Sequence, residues 1–168
     1  MATKTVFREI VKGEDGVERL LLHLHEGQTR AWECPKRFIM VVCGTQWGKT
    51  SFGPHWLHRE IVTRGPGDYL AVTATFPLLK LKMQPEFVYV FETLLRLGTW
   101  KEGDKVFESH EKLRGGPSWR VIFGSATNPE SIESATANAA WCDEMGQHQF
   151  QRQAWEAVLR RVSITQGR

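Results

Sequence analysis

The segment Cys43-Gly44-Thr45-Gln46-Trp47-Gly48-Lys49-Thr50 constrains this chain more than any other. It follows an apolar run rich in β-branched residues, FIMVVCG (Phe38 to Gly44), which reads as a strand buried on both faces, as in a parallel sheet. A helix is expected after Gly48, running to about Arg64, with Gly53-Pro54 inside its first turns. Strand, loop and helix in that order form the context of a phosphate-binding loop of the Walker A type. There, successive backbone N–H groups and the helix N-terminus cradle negative charge. In such a loop Gly48 allows close backbone approach, Lys49 sets a point charge between β- and γ-phosphates, and Thr50 offers a hydroxyl to Mg²⁺. Cys43, Gly44, Thr45, Gln46, Trp47 and Ser51 complete the candidate nucleotide site. The usual GxxxxGK[ST] pattern has glycine where this chain has Cys43, and Gly44 comes one residue late.

A loop of this kind hydrolyses ATP only with an acidic strand end beside it. Ala139-Ala140-Trp141-Cys142-Asp143-Glu144 supplies one, in the manner of a Walker B strand. Asp143 is the candidate that positions the metal, and Glu144 the general base that orients and polarises the attacking water. Consecutive carboxylates favour hydrolysis over mere binding.

The rest of the chain supports an α/β class with a mainly parallel central sheet flanked by helices, a P-loop NTPase of RecA/ASCE type, behind an N-terminal hairpin. The hairpin is expected from Thr5 to Val11 and Val17 to His25 around Gly13-Glu14-Asp15-Gly16, followed by a short helix from Gln28 to Cys34 that stops before Pro35. Asp68 to Thr75 reads as a second buried strand and Pro77 to Leu97 as a long helix interrupted by Pro85. A second hairpin spans Lys105 to Phe123 with its reversal at Gly115-Gly116-Pro117. Pro129 to Ala135 reads as a short helix, Ala139 to Cys142 as a strand, and Gln149 to Val162 as an amphipathic helix. The stripe Phe87, Val90, Phe91, Leu94, Leu95 has helical spacing and is assigned to the core.

At 168 residues the chain suits one domain. No uncharged apolar run approaches the roughly 20 residues of a membrane span, and Arg8 and Glu9 stand where a signal peptide needs an apolar core, so no membrane partner and a cytoplasmic location are expected. Cys34, Cys43 and Cys142 have no zinc-type spacing and read as small reduced side chains. A net charge of +3 permits a nucleic-acid partner without demonstrating one.

These residues resemble the ATPase domain of bacteriophage terminase large subunits, motors that package viral DNA. The resemblance runs through LHEGQTRAW, the loop that begins at Cys43, LAVTATF, VIFGSATNPESIESATANAAWCDE and VLRRVSITQGR, and is most specific from Phe123 to Glu144. It implies Mg²⁺-dependent ATP hydrolysis driving double-stranded DNA into a capsid. The implied partners are a portal protein and a small terminase subunit, in a homo-oligomeric ring at the capsid portal in the host cytoplasm. It also implies that Gln28 lies near the adenine, where a glutamine could make a two-point hydrogen bond; a cap on the short helix is the alternative. Many terminases carry arginine where this chain has Thr45, so that charge is vacant or comes from elsewhere. In the family a Thr-rich coupling strand and an acidic nuclease domain follow. The sequence stops at Gly167-Arg168 before either, so a truncated single ATPase domain without nuclease activity is expected.

Candidates for an arginine acting in a neighbouring subunit are Arg114, Arg120, Arg152, Arg160 and Arg161. Lys80, Lys82, Lys101 and Lys105, with Trp100 among them, are candidates to meet DNA phosphates. Two other readings stand beside the motor: a superfamily 2 helicase-like ATPase acting on free nucleic acid, and a nucleotide-binding assembly module with little turnover.

Overall fold

The computed structural model describes residues 7–110, 118–133, 136–163 and 167–168. The chain divides into two compact units, Met1–Val41 and Val42–Arg168.

In the first unit, strands β1 (Arg8–Lys12) and β2 (Glu18–Leu22) pair antiparallel with Ile10 opposite Leu20. Their reversal is closed by the Gly13 N–H on the Val17 carbonyl at 2.9 Å, and Gly16 takes a φ of +76° that glycine adopts without a Cβ penalty. The Arg19 guanidinium, bonded to Asp15 across this turn, holds the Asp15 carboxyl below its usual range. Helix α1 (Glu26–Glu33) follows, and Cys34 is extended (ψ 120°) because the residue before Pro35 is barred from helical geometry.

The expected strand from Phe38 to Gly44 is not formed. Met40 and Val42 are 82% and 88% exposed, and none of the sheet strands pairs with the run. Apolar, β-branched composition favours a strand only where neighbouring ladders accept its N–H and C=O groups, and none among the described residues does so.

The second unit begins with helix α2 (Lys49–Arg64), then strand β3 (Gly67–Thr73). The expected helix from Pro77 to Leu97 is present but not uniformly α-helical: α3 (Phe76–Leu78), a π-helical stretch Leu79–Met83, α4 (Gln84–Val88) and a second π stretch Tyr89–Leu94. Pro85 has no N–H for the Leu81 carbonyl and its ring crowds that turn, so the backbone widens just before it; the Gln84 N–H bonds the Leu79 carbonyl instead. Strands β4 (Gly98–Lys101), β5 (Val106–Ser109) and β6 (Trp119–Ser125) come next. A 3₁₀ turn (Pro129–Ser131), strand β7 (Ala137–Cys142) and helix α5 (Arg152–Ser163) complete the unit. The reversal expected at Gly115-Gly116-Pro117 and the end of the expected helix at Ala135 lie outside the described residues.

The sheet order is β4-β5-β6-β3-β7. It is mixed rather than mainly parallel: β3 pairs parallel with β6 and β7, but β4–β5 and β5–β6 are antiparallel. The expected second hairpin accounts for β5–β6, and the unforeseen short strand β4 adds the other reversal. Alternate side chains of β3 serve two cores. Tyr69 and Ala71 pack with Leu57 and Ile61 of α2 and with Phe87, Val90 and Phe91, whereas Leu70 and Val72 pack with Ala154, Ala157 and Val158 of α5. The backbone of Arg168 pairs with the outer edge of β7, at 2.6 Å to Ala140 and 3.1 Å to Asn138. No helix among the described residues is long and apolar enough to cross a membrane.

Candidate functional site

Two elements bring the candidate residues together. The first is the turn that starts α2. Gly48 is its N-cap at φ +84°, left-handed geometry that glycine accepts, and Gln46 is also left-handed at +67°. Among the described residues no side chain caps this N-terminus, which leaves its first N–H groups without a side-chain acceptor. The Trp47 ring meets Phe52 edge-on at 5.9 Å, tying the turn to the helix it precedes. Lys49 folds back over the turn, its Nζ donating to the Gly44 carbonyl at 3.3 Å. Residues 45–47 make the turn, and Ser51 is the third residue of α2.

The second element is the end of β7. The Asp143 N–H donates to the Val72 carbonyl of β3 at 2.8 Å, fixing the residue just past the strand. The Thr50 hydroxyl donates to Asp143 Oδ2 at 2.9 Å, joining positions 93 residues apart. The other oxygen, Oδ1, accepts the Glu144 N–H at 3.0 Å. Burial pushes the Asp143 carboxyl above its usual range; the Thr50 and Glu144 hydrogen bonds pull it back, the Glu144 charge raises it and Lys49 lowers it. Burial also pushes the adjacent Cys142 thiol up to about 12, with the Asp143 charge adding to it, so this cysteine stays a thiol. Glu144 is left-handed at φ +57°; its Oε2 accepts from Gln147 Nε2 at 3.3 Å, and its Oε1 lies 3.8 Å from Lys82 Nζ.

Helix and strand can approach this closely because of Gly53. A Cβ there would sit 2.0 Å from Cε2 of Trp141, so only glycine lets α2 lie on the β7 ring. The result is an ammonium group, an uncapped helix N-terminus, a hydroxyl on a buried carboxylate and a second carboxylate beside it. That donor set suits a phosphate chain carrying a hard divalent cation.

The other candidates are dispersed. Gln28 belongs to the first unit, where its Oε1 accepts the His25 N–H at 3.3 Å in a reciprocal cap of α1, the alternative raised from sequence. Arg120 grips Asp68 through two bonds of 2.6 and 2.9 Å, which raise its already high pKa. Arg152 pairs with Glu156 at 2.7 Å and Arg160 with Glu133 at 2.6 Å. The Arg161 Nε is buried with no hydrogen-bond acceptor among the described residues, and Arg114 lies outside them.

No family model matches the sequence, and no curated protein matches it in sequence. Solved structures do match in shape. The large terminase ATPase domain of Thermus phage P74-26 superposes with a TM-score of 0.72 at 16% identity, over 87% of this chain. The large terminase of a second phage, also a thermophilic bacteriophage, gives 0.67 at 13% identity, over 84%. The fold is that of a phage large-terminase ATPase domain. This chain spans 62% of the first structure's length and 36% of the second's.

Within this fold, sequence reasoning missed three functional neighbours. Gln147 carries a local signal, three residues after Glu144. The Gly53–Trp141 contact had half of one, a glycine inside a helix. Lys82 beside Glu144 had none, because only the tertiary fold brings positions 82 and 144 together.

Proposed function

We propose that this chain is the ATP-hydrolysing motor unit of a phage terminase large subunit. The observation that carries the reading is the 2.9 Å bond from Thr50 to Asp143, which unites the phosphate-loop helix with the acidic strand end. Residues 43–51 bind the triphosphate through backbone N–H groups of the turn and of the α2 N-terminus, and Lys49 leaves the Gly44 carbonyl for phosphate oxygens. Gln28 is the proposed contact to the adenine.

A divalent cation is part of this reading, and the residues fit one: a hydroxyl and a buried, under-compensated carboxylate already touch, offering the oxygen donors that Mg²⁺ takes alongside water and phosphate. Thr50 and Asp143 would hold it, and it would neutralise charge on the phosphates. Glu144 accepts the proton of the attacking water. An arginine from a neighbouring copy, drawn from Arg114, Arg120, Arg152, Arg160 and Arg161, stabilises the transferred phosphoryl group. The same reading gives double-stranded DNA as the translocated polymer. Portal protein, small terminase subunit and further copies of the chain in a ring are the partners, at the capsid portal in the host cytoplasm.

Glu144→Gln tests this. The variant should bind ATP with unchanged affinity while turnover falls about 10²- to 10⁴-fold, the usual loss of a general base. Equal, negligible turnover in both proteins with ATP still bound would overturn the enzyme and favour a nucleotide-binding module. Strand separation in place of duplex translocation would favour the helicase-like reading.

A further inference from the structure

The helical segment from Phe76 to Leu94 carries two stripes at a spacing of four residues. Leu79, Met83, Phe87 and Phe91 are at most 1% exposed and form one wall of the core. Pro77, Leu81, Pro85 and Tyr89 stand two residues before each of these, and all four face solvent, Leu81 at 73% and Tyr89 at 45% exposure. In a continuous α-helix such a stripe drifts by about 40° per step, roughly 120° over three steps. The wider turns at Leu79–Met83 and Tyr89–Leu94 take up that drift and keep both stripes straight. Pro85 accounts for the first of them, and no proline lies in the second. The outcome is an apolar row on the side of the helix opposite the core, where a helix on a monomer's surface carries polar residues.

The charges beside the row are segregated. Lys80 and Lys82 flank its first half, Glu86 and Glu92 its second. Both lysine side chains are more than half exposed, although each meets an acid of its own chain: Lys80 Nζ lies 3.2 Å from Glu102 and Lys82 Nζ 3.8 Å from Glu144. Exposed pairs of this kind are weak and exchange partners at little cost. We propose that this face binds a second copy of the chain, antiparallel and about a two-fold axis at Pro85. That arrangement lays Leu81 against Tyr89 of the other copy, sets each lysine end against the other copy's glutamate end, and opposes the helix dipoles. A parallel pair would set lysine on lysine and glutamate on glutamate. One helix face lies at the low end of specific interfaces, below about 1,200 Å² in total, so the dimer is weak and concentration-dependent. The contact is isologous, unlike the head-to-tail contacts of a ring, and it does not rest on the ATPase reading.

Sedimentation equilibrium of the 168-residue chain decides it, over a range of about 10 µM to 1 mM that suits a weak interface. The parent should pass from monomer to dimer and no further. Leu81→Asp puts a charge in the middle of the row and should raise Kd by about tenfold or more. Thermal melts check that this variant is folded, and Leu81→Gln replaces it if it is not. The charges test the direction of packing. Lys82 and Glu86 stand four residues apart on one flank, and the antiparallel pair makes their contact twice, each worth about 1.4- to 5-fold. Lys82→Glu alone and Glu86→Lys alone should therefore each weaken the dimer by about two- to twenty-five-fold. Both changes in one chain should restore it. A parent that stays monomeric throughout, a dimer indifferent to Leu81→Asp, or a charge swap that fails to restore association overturns the proposal. None of these measurements reads ATP turnover, so the dimer and the ATPase reading stand or fall separately.

Discussion

Replacing Gly53 with alanine puts one methyl group between the two elements that carry the candidate site. An ideal Cβ at this position lies 2.0, 2.3 and 2.4 Å from Cε2, Nε1 and Cζ2 of Trp141. The indole is 7% exposed and packed in the core between α2 and β7, so it has little room to step aside. Restoring a carbon–carbon contact of about 3.5 Å requires a separation of roughly 1.5 Å, taken up mainly by α2 moving off the strand. Overpacking of this kind costs about 1–3 kcal/mol, and the better helix propensity of alanine returns about 1. The net loss of about 0–2 kcal/mol corresponds to a fall in Tm of at most about 8 °C for a chain of this size. Function should suffer more than stability. Thr50 lies three residues from Gly53 on the same helix, and a shift of roughly 1.5 Å would carry its 2.9 Å bond to Asp143 beyond hydrogen-bond range. Misplacement by about 1 Å can cost about 10²-fold in rate. The assay is ATP turnover beside a thermal melt, with Gly146→Ala as control, since a Cβ there meets nothing within 4 Å. Gly53→Ala combined with Trp141→Ala should recover part of the lost turnover. A Gly53→Ala protein that melts and turns over like its parent would refute the claim that this contact sets the site.

Two further outcomes follow from buried charge. Asp143 has a folded pKa raised above the ordinary 3.8, so its ionisation opposes folding: the contribution is absent in acid, grows as pH rises from 3.8 through the raised value, and is constant above. Asp143→Asn should therefore melt at or above the parent at neutral pH without metal, with the difference vanishing toward acid; thermal melts across that range measure it. Glu60, 3% exposed, accepts from Arg59 at 2.8 Å and Arg64 at 2.9 Å and lies 3.5 Å from Arg168. Glu60→Ala should cost about 2 kcal/mol in urea unfolding, below the value for a fully buried pair because Arg59 and Arg64 are partly exposed.

Where local chemistry decides, the sequence could be read directly. The N-terminal hairpin follows from Gly13 to Gly16, α2 begins at the residue after Gly48, and α5 buries Ala154, Ala157 and Val158 at helical spacing. Of the candidate site, the Thr50–Asp143 contact is the part that motif spacing anticipated. What failed depended on partners distant in sequence. Phe38 to Gly44 has the composition of a central strand, yet composition supplies only a preference; the ladder needs neighbours, and the run has none among the described strands. The antiparallel half of the sheet was under-read because β4 has four residues, too short for an alternation to stand out. The π-helical turns before Pro85 and at Tyr89–Leu94 leave the apolar stripe intact, so the stripe could be read although the hydrogen-bond register could not.

The site also has an internal electrostatic logic. Two carboxylates stand on consecutive residues, and the one that is buried has its pKa raised, so the nearby cations do not fully compensate it. Lys49 directs its ammonium at a carbonyl rather than at either acid, and Lys82 approaches Glu144 without bonding it closely. Meanwhile the start of α2 carries the positive end of the helix dipole, with no side-chain cap among the described residues. The acids just past β7 and the start of α2 therefore meet at the Thr50–Asp143 bond. Under the proposed function an anionic phosphate chain bound together with a divalent cation would answer both, the phosphates at the helix and the cation at the acids.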